Sequence, residues 1–113
     1  MPPDAELDVR TYKLVPGASE AFDRIVRDDA LPMLERFGIR VVACGPSADK
    51  ADHYYLIRSF SSAEERHEQL EAFYGSDEWR RTHRDAVMQL IESYHIVVIR
   101  LTPSVRTALA EAG

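Results

Sequence analysis

Two hydrophobic periods alternate along the chain. From Glu6 to Leu14 the repeat is two, which places Leu7, Val9 and Thr11 on one face of a strand and Asp8, Arg10 and Tyr12 on the other, before Pro16-Gly17 ends it. The second face is unusually polar. From Ser19 the period becomes helical, with Phe22, Ile25, Val26, Met33 and Phe37 on one stripe, Ser19 as cap and Gly38 as stop. Pro32 removes the hydrogen bond to the carbonyl of Asp28. It predicts a kink, or a new turn near Ala30, in a helix whose apolar stripe continues past it. A strand at Ile39 to Ala43, a polar connection at Gly45 to Asp52 and a strand at Tyr54 to Phe60 then read as a hairpin with a long loop.

The second half repeats the alternation. Ser61 or Ser62, followed three residues later by Glu64 or Glu65, is a capping-box signature for a helix over Ser62 to Tyr74, with Ala63, Leu70, Phe73 and Tyr74 turned inward. Gly75 is expected to take the left-handed turn that ends it, and Ser76 or Asp77 to cap a third helix, Asp77 to Ile91. That helix carries Trp79, Ala86, Val87, Leu90 and Ile91 on its apolar stripe and Arg80, Arg81 and Arg84 outside. The last strand, Tyr94 to Leu101, is apolar on both faces and is stopped by Pro103, and Ser104 to Gly113 reads as a short helix or a docking tail.

The order is βαββαβ, with the second crossover widened by an extra helix. Short connections and right-handed crossovers favour an α+β, ferredoxin-like, four-stranded antiparallel sheet with its helices on one face, in a single domain over 1–113 whose ordered core is 6–102. The helix-free face needs a cover. A second sheet supplied by another copy, making a homodimer, is the expected solution.

Composition narrows the partners. Nineteen acidic against fourteen basic residues give a formal charge of −5, which disfavours nucleic acid. No apolar run approaches the roughly 20 residues that span a bilayer, and the start, MPPDAELD, has neither a basic region nor an apolar core for secretion, so no membrane partner and a cytoplasmic location are expected. The single cysteine, Cys44, ends an apolar strand and reads as a packed thiol.

Candidate chemistry is sparse. His53, His67, His83 and His95 show no metal-ligand spacing; His67 with Glu71 comes nearest, and a solvated acidic face accounts for both. No phosphate loop and no nucleophile elbow occur, and no metal or cofactor is expected. The informative anomaly is arginine inside strands. Arg10 and Arg58 fall in the two central strands of this topology, where a guanidinium needs a carboxylate, an anion or water. Either Arg10 pairs with Asp8 or Glu6, or the arginines join Tyr12 and Tyr55 in a wet pocket. Trp79, Phe73 and Tyr74 read as core anchors at a helix–turn–helix corner, with an aromatic ligand cage as the alternative.

The stretches VRTYKLVPG at Val9 to Gly17, ALPMLERFG at Ala30 to Gly38, YYLIRSFSSAEER at Tyr54 to Arg66 and FYGSDEW at Phe73 to Trp79 together resemble the NIPSNAP family of the dimeric α/β-barrel superfamily. The resemblance implies a ferredoxin-like protomer whose sheet joins that of its mate in a barrel. It carries no catalytic motif. In the wider superfamily, oxygenases without cofactor, lactone isomerases and polyketide cyclases use tyrosine, histidine or arginine to stabilise an enolate, and some other barrel families bind haem through a histidine such as His83 or His95 would supply. The candidate ligand-binding set is therefore Arg10, Tyr12, Tyr55, Arg58 and His95, for a small carbonyl or aromatic metabolite held between sheet and helices. The alternatives are an enzyme acting through an enolate and a non-enzymatic interaction protein.

Overall fold

The computed structural model describes residues 5–112. Four strands, β1 (Glu6–Leu14), β2 (Arg40–Pro46), β3 (His53–Phe60) and β4 (Ile91–Arg100), form one antiparallel sheet in the order β2-β3-β1-β4. With α1 (Ser19–Ile25), α2 (Leu31–Arg36), α3 (Ala63–Tyr74), α4 (Arg84–Met88) and the C-terminal α5 (Pro103–Ala112), this is the ferredoxin-like α+β fold. β1 and β3 are the central strands, so both strand arginines lie mid-sheet.

Local chemistry explains most element boundaries. Ser62 caps α3, its hydroxyl accepting from the Glu65 amide at 3.0 Å, and the Glu65 carboxylate accepts from the Ser61 amide at 2.7 Å and from the Ser61 hydroxyl. Those bonds hold the Glu65 carboxyl below its usual range. Gly38 ends α2 in the left-handed conformation, φ +75°. Gly75 does not follow that expectation. Its φ is −88°, and glycine is required there because a Cβ would stand 2.7 Å from the carbonyl oxygen of Glu71.

Pro32 follows a change of helix type, with α2 beginning at Leu31 beside the new turn expected near Ala30. A π-helical segment, Val26–Ala30, joins α1 to α2 without a break. The wider turn absorbs the missing proline amide and keeps Phe22, Val26, Met33 and Leu34 on one buried stripe. A second π-helical segment, Glu78–His83, replaces the first half of the expected third helix and leaves α4 with five residues. β4 then begins at Ile91 rather than Tyr94, because its pairing to β1 continues past a bulge to Leu14. β2 likewise extends beyond Ala43 to Pro46. Residues 103–112, open between helix and tail in the sequence, are helical and exposed apart from the half-buried Val105 and Arg106, and Ala63 and Ala86 point outward.

The core lies between sheet and helices. Tyr12, Leu14, Phe22, Val26, Tyr54, Leu56 and Val87 form one cluster, and Met33, Leu34, Ile39, Phe60 and Phe73 the other. Both central strands turn their even-numbered residues to the helices: Glu6, Asp8, Tyr12 and Leu14 in β1, and Tyr54, Leu56, Arg58 and Phe60 in β3, are buried. The polar face of β1 therefore points inward. Its apolar residues Leu7 and Val9, with Ile57, Val97 and Ile99 on adjoining strands, share the helix-free face, where Val97 is 60% exposed. No helix of the described residues is long and apolar enough to cross a membrane.

α1 is tied to the sheet by the Tyr54 hydroxyl, which donates to Asp23 Oδ1 at 2.6 Å. That bond, with Arg27 donating to the same carboxylate at 3.0 Å, holds the Asp23 carboxyl below its usual range. A depressed carboxyl stabilises the fold above its unfolded value of about 4 and loses that contribution as pH falls through its folded value. Tyr54→Phe should therefore lower stability by about 1–2 kcal/mol at pH 7, in urea, and the gap from wild type should close as the pH is taken below about 4.

Candidate functional site

Asp8 and Arg58 are register partners on β1 and β3, and both are almost completely buried. The Asp8 carboxylate meets two cations at one oxygen: Arg58 Nη2 donates to Oδ1 at 3.1 Å, and Arg10 Nε donates to it at 3.2 Å. The Tyr74 hydroxyl, at the end of α3, accepts from Arg10 Nη1 at 3.2 Å and from Arg58 Nη1 at 3.0 Å. Both guanidiniums also stand over the Tyr74 ring, at 5.1 and 5.7 Å from its centroid. Two cations are thus held by one carboxylate and one phenol. One positive charge is left over, and Arg58 Nε is buried without a hydrogen-bond partner among the described residues.

The fold explains how these groups meet. Period-two alternation sends Asp8 and Arg10 to the same side of β1, and the antiparallel register puts Arg58 beside Asp8. In the last turn of the capped α3, Phe73 is buried against Phe37 and Trp79 and so fixes Tyr74, the helix's final residue, over the strands. Burial works against the Arg58 charge, but the facing Tyr74 and Asp8 outweigh it and hold the guanidinium more firmly protonated than usual. Glu6, one step along the same inward face, is neutralised separately by Arg66 Nε at 2.8 Å.

A cleft of about 380 Å³ opens beside this cluster, between β1 and β4 on one side and the second π-helical segment with α4 on the other. Arg10, Tyr12 and Tyr74 form its polar end. Trp79, Val87, Met88, Ile91 and Ile96 form apolar walls, with Tyr94 and Arg84 at the remaining positions. No carboxylate lines it among the described residues. Burial, with the nearby Tyr74, pushes the Tyr12 phenol up to about 12 against the pull of Arg10 and Arg58, so Tyr12 is neutral at physiological pH. The lining combines hydrogen-bond donors, surplus positive charge and a mostly apolar wall.

Of the five residues expected to line a pocket, Arg10 and Tyr12 line this cleft, and Arg58 is outside its lining, sharing Asp8 and Tyr74 with Arg10. Tyr55 and His95 do not join them. Both are register partners of Thr11, an odd-numbered position, so the pleat turns them to the helix-free face. Odd and even positions separate within each strand, but only the register between strands shows that Tyr12 and Tyr55 point opposite ways. Arg84 and Tyr94 line the cleft without having been named for a site, and Tyr74 and Trp79, read first as core anchors with a ligand cage as the alternative, line it too. Tyr74 carried a usable signal: a phenol on the inward stripe of a helix must find a partner, and two arginines on the facing strands supply donors. Trp79 is partly buried, edge-on to Tyr74 at 5.2 Å, and joins core and cleft. No group of three or more histidine, cysteine or acidic side chains suited to a metal occurs among the described residues.

Charge counting orders the expected effects of substitution. Asp8→Asn leaves two guanidiniums side by side without an anion and should destabilise by about 3–5 kcal/mol. Arg58→Met and Arg10→Met each leave one acid facing one base, so each should be milder. Arg10→Met, at the 13% exposed side chain, should be the mildest of the three in urea midpoint. An Asp8→Asn protein as stable as wild type would show that the carboxylate is not what holds the two arginines.

A sequence model of the NIPSNAP family matches residues 7–105. Solved structures with the same fold include a NIPSNAP domain protein from Burkholderia xenovorans, at 16% identity and TM-score 0.78, covering 87% of this chain and 95% of that one. A NIPSNAP family protein from Agrobacterium tumefaciens is 23% identical, with TM-score 0.77 over 88% of this chain and 93% of that one. A protein assigned provisionally as an antibiotic biosynthesis monooxygenase, from Nitrosomonas europaea, is 17% identical, with TM-score 0.63 over 83% and 95%. No functionally curated protein matches. With the family match running over nearly all of β1 to β4, the chain belongs to the NIPSNAP family.

Proposed function

We propose that the protein is a homodimeric small-molecule-binding protein whose cleft takes an anionic or carbonyl-bearing metabolite with an apolar, aromatic-sized body. The observation that carries this reading is the surplus cation: Arg10 faces a cleft with apolar walls and no acid, beside an ion cluster one negative charge short of balance. A ligand oxygen at Arg10 would supply the missing charge, and Ile96, Met88 and Val87 would bury its hydrocarbon. An enzyme acting on such a ligand through its enolate is the second reading. It is favoured by the same donors, which would stand where negative charge develops on a carbonyl oxygen, and by the fold shared with the Nitrosomonas europaea protein.

Dimerisation is proposed from the helix-free face. Leu7, Val9, Ile57, Val97 and Ile99 make an apolar surface on a sheet whose other side is covered by helices except along β4, and a second copy's sheet would bury it. Sedimentation at micromolar concentration should give twice the 12.9 kDa chain mass, and Val97→Asp should give a monomer or an unfolded chain. A folded wild-type monomer would remove the dimer from the proposal. For the cleft, a thermal-shift panel of small aryl and branched alkyl carboxylates and ketones should yield stabilising ligands, and a ligand at 100 times its Kd adds about 2.7 kcal/mol. Arg10→Met should abolish the shift while remaining folded. A panel with no stabilising member would favour the interaction-protein alternative.

A further inference from the structure

The Tyr74 hydroxyl has one proton and two lone pairs. Both acceptor positions are taken, by Arg10 Nη1 at 3.2 Å and Arg58 Nη1 at 3.0 Å. Its proton therefore has to point away from both guanidiniums, and Tyr74 lines the cleft. A phenol accepting from two cations is polarised toward donation, since each bond withdraws electron density from its oxygen. Arg10 is the second donor at the same end. Its Nε and Nη1 are engaged by Asp8 and Tyr74, while its guanidinium still reaches the cleft and Tyr12.

We propose that Tyr74, with Arg10, forms a two-donor site that holds one oxygen of a monocarboxylate ligand, the Tyr74 hydroxyl giving its proton to the hydrogen bond. The proposal rests on the cleft reading above and adds to it the ligand class and a binding residue. Each feature of the site selects. Among the described lining residues no side chain is an anion, so a ligand amine would face the Tyr74 hydroxyl and the Arg10 guanidinium with nothing to receive its charge. One surplus cation is neutralised by one carboxylate. The apolar walls from α4 and β4 then suit a ring or a branched chain beyond the carboxylate.

Calorimetry with phenylacetate, phenylacetamide and 2-phenylethylamine, three probes of one shape, tests it. Phenylacetate should bind, the amide at least tenfold more weakly, and the amine not measurably. Tyr74→Phe should weaken phenylacetate about tenfold, and Arg10→Met by more. Tyr74→Phe also strips an acceptor from two buried arginines and can unfold the chain, so the wild type supplies an independent readout. With carbon-13 at tyrosine Cζ, the assigned Tyr74 resonance should move when phenylacetate is added, and move little with the amide. Phenylacetate binding that leaves Tyr74 Cζ in place, or that is equal in Tyr74→Phe, overturns the proposal and leaves the cleft reading standing. Binding of the amine as tightly as the acid overturns it too. If none of the three probes binds while other members of the carboxylate and ketone panel do, this two-donor site is wrong and the cleft is not; if the panel is also silent, both fall.

Discussion

A single buried carboxylate holds the middle of this sheet together. Asp8 stands between Arg10 on its own strand and Arg58 on the next, and the Tyr74 hydroxyl closes the group from the helical layer. A guanidinium buried alone is too costly to keep, so the strand register, the seat of α3 and the direction of β1 are coupled. A slip of β1 by one residue would turn Asp8 and Arg10 to the helix-free face and leave Arg58 unpaired in the core. The cluster therefore acts as a register lock, in addition to whatever net stability it contributes.

That constraint explains which face of β1 is inside. Ordinary amphipathic logic would bury Leu7, Val9 and Thr11 and expose Asp8, Arg10 and Tyr12. The protein does the reverse at its centre. Each inward polar group has a partner built into the fold: Glu6 with Arg66, Asp8 with Arg10 and Arg58, and both arginines with Tyr74. The apolar residues are correspondingly left on the open face, which is the physical basis for proposing a second sheet there.

The fold could be read along the chain because its signals are local. Alternation at Glu6 to Leu14, the Ser62 and Glu65 cap and the Gly38 stop each act within a few residues. What resisted reading depended on distant parts. The π-helical turn at Val26–Ala30 answers a proline two residues beyond it while keeping an apolar stripe in phase with the sheet. The short α4 and the early start of β4 follow from pairing to Leu14, more than seventy residues upstream. In the site, the strand arginines announced that something must compensate them, and the polar face of β1 held the answer in Asp8. Tyr55 and His95 were misplaced for a geometric reason: face assignment across two strands needs the register, which neither strand contains by itself.

The cleft exists because the helical layer runs out before the sheet does. A π-helical segment and a five-residue α4 are too short to cover β4, and Tyr94, Ile96 and Val98 on its helix-facing side remain 47%, 43% and 38% exposed. The gap opens beside the cationic cluster of Arg10 and Arg58. Groups there are already fixed: Arg10 by Asp8, Tyr74 by two guanidiniums, and Arg58 by complete burial. Donors held this way would need little reordering to meet the ligand oxygen proposed for this site, so less of the interaction energy would be lost to side-chain entropy. The same bonds that let a sheet tolerate arginine at its centre thus leave a preorganised pair of donors at its uncovered edge.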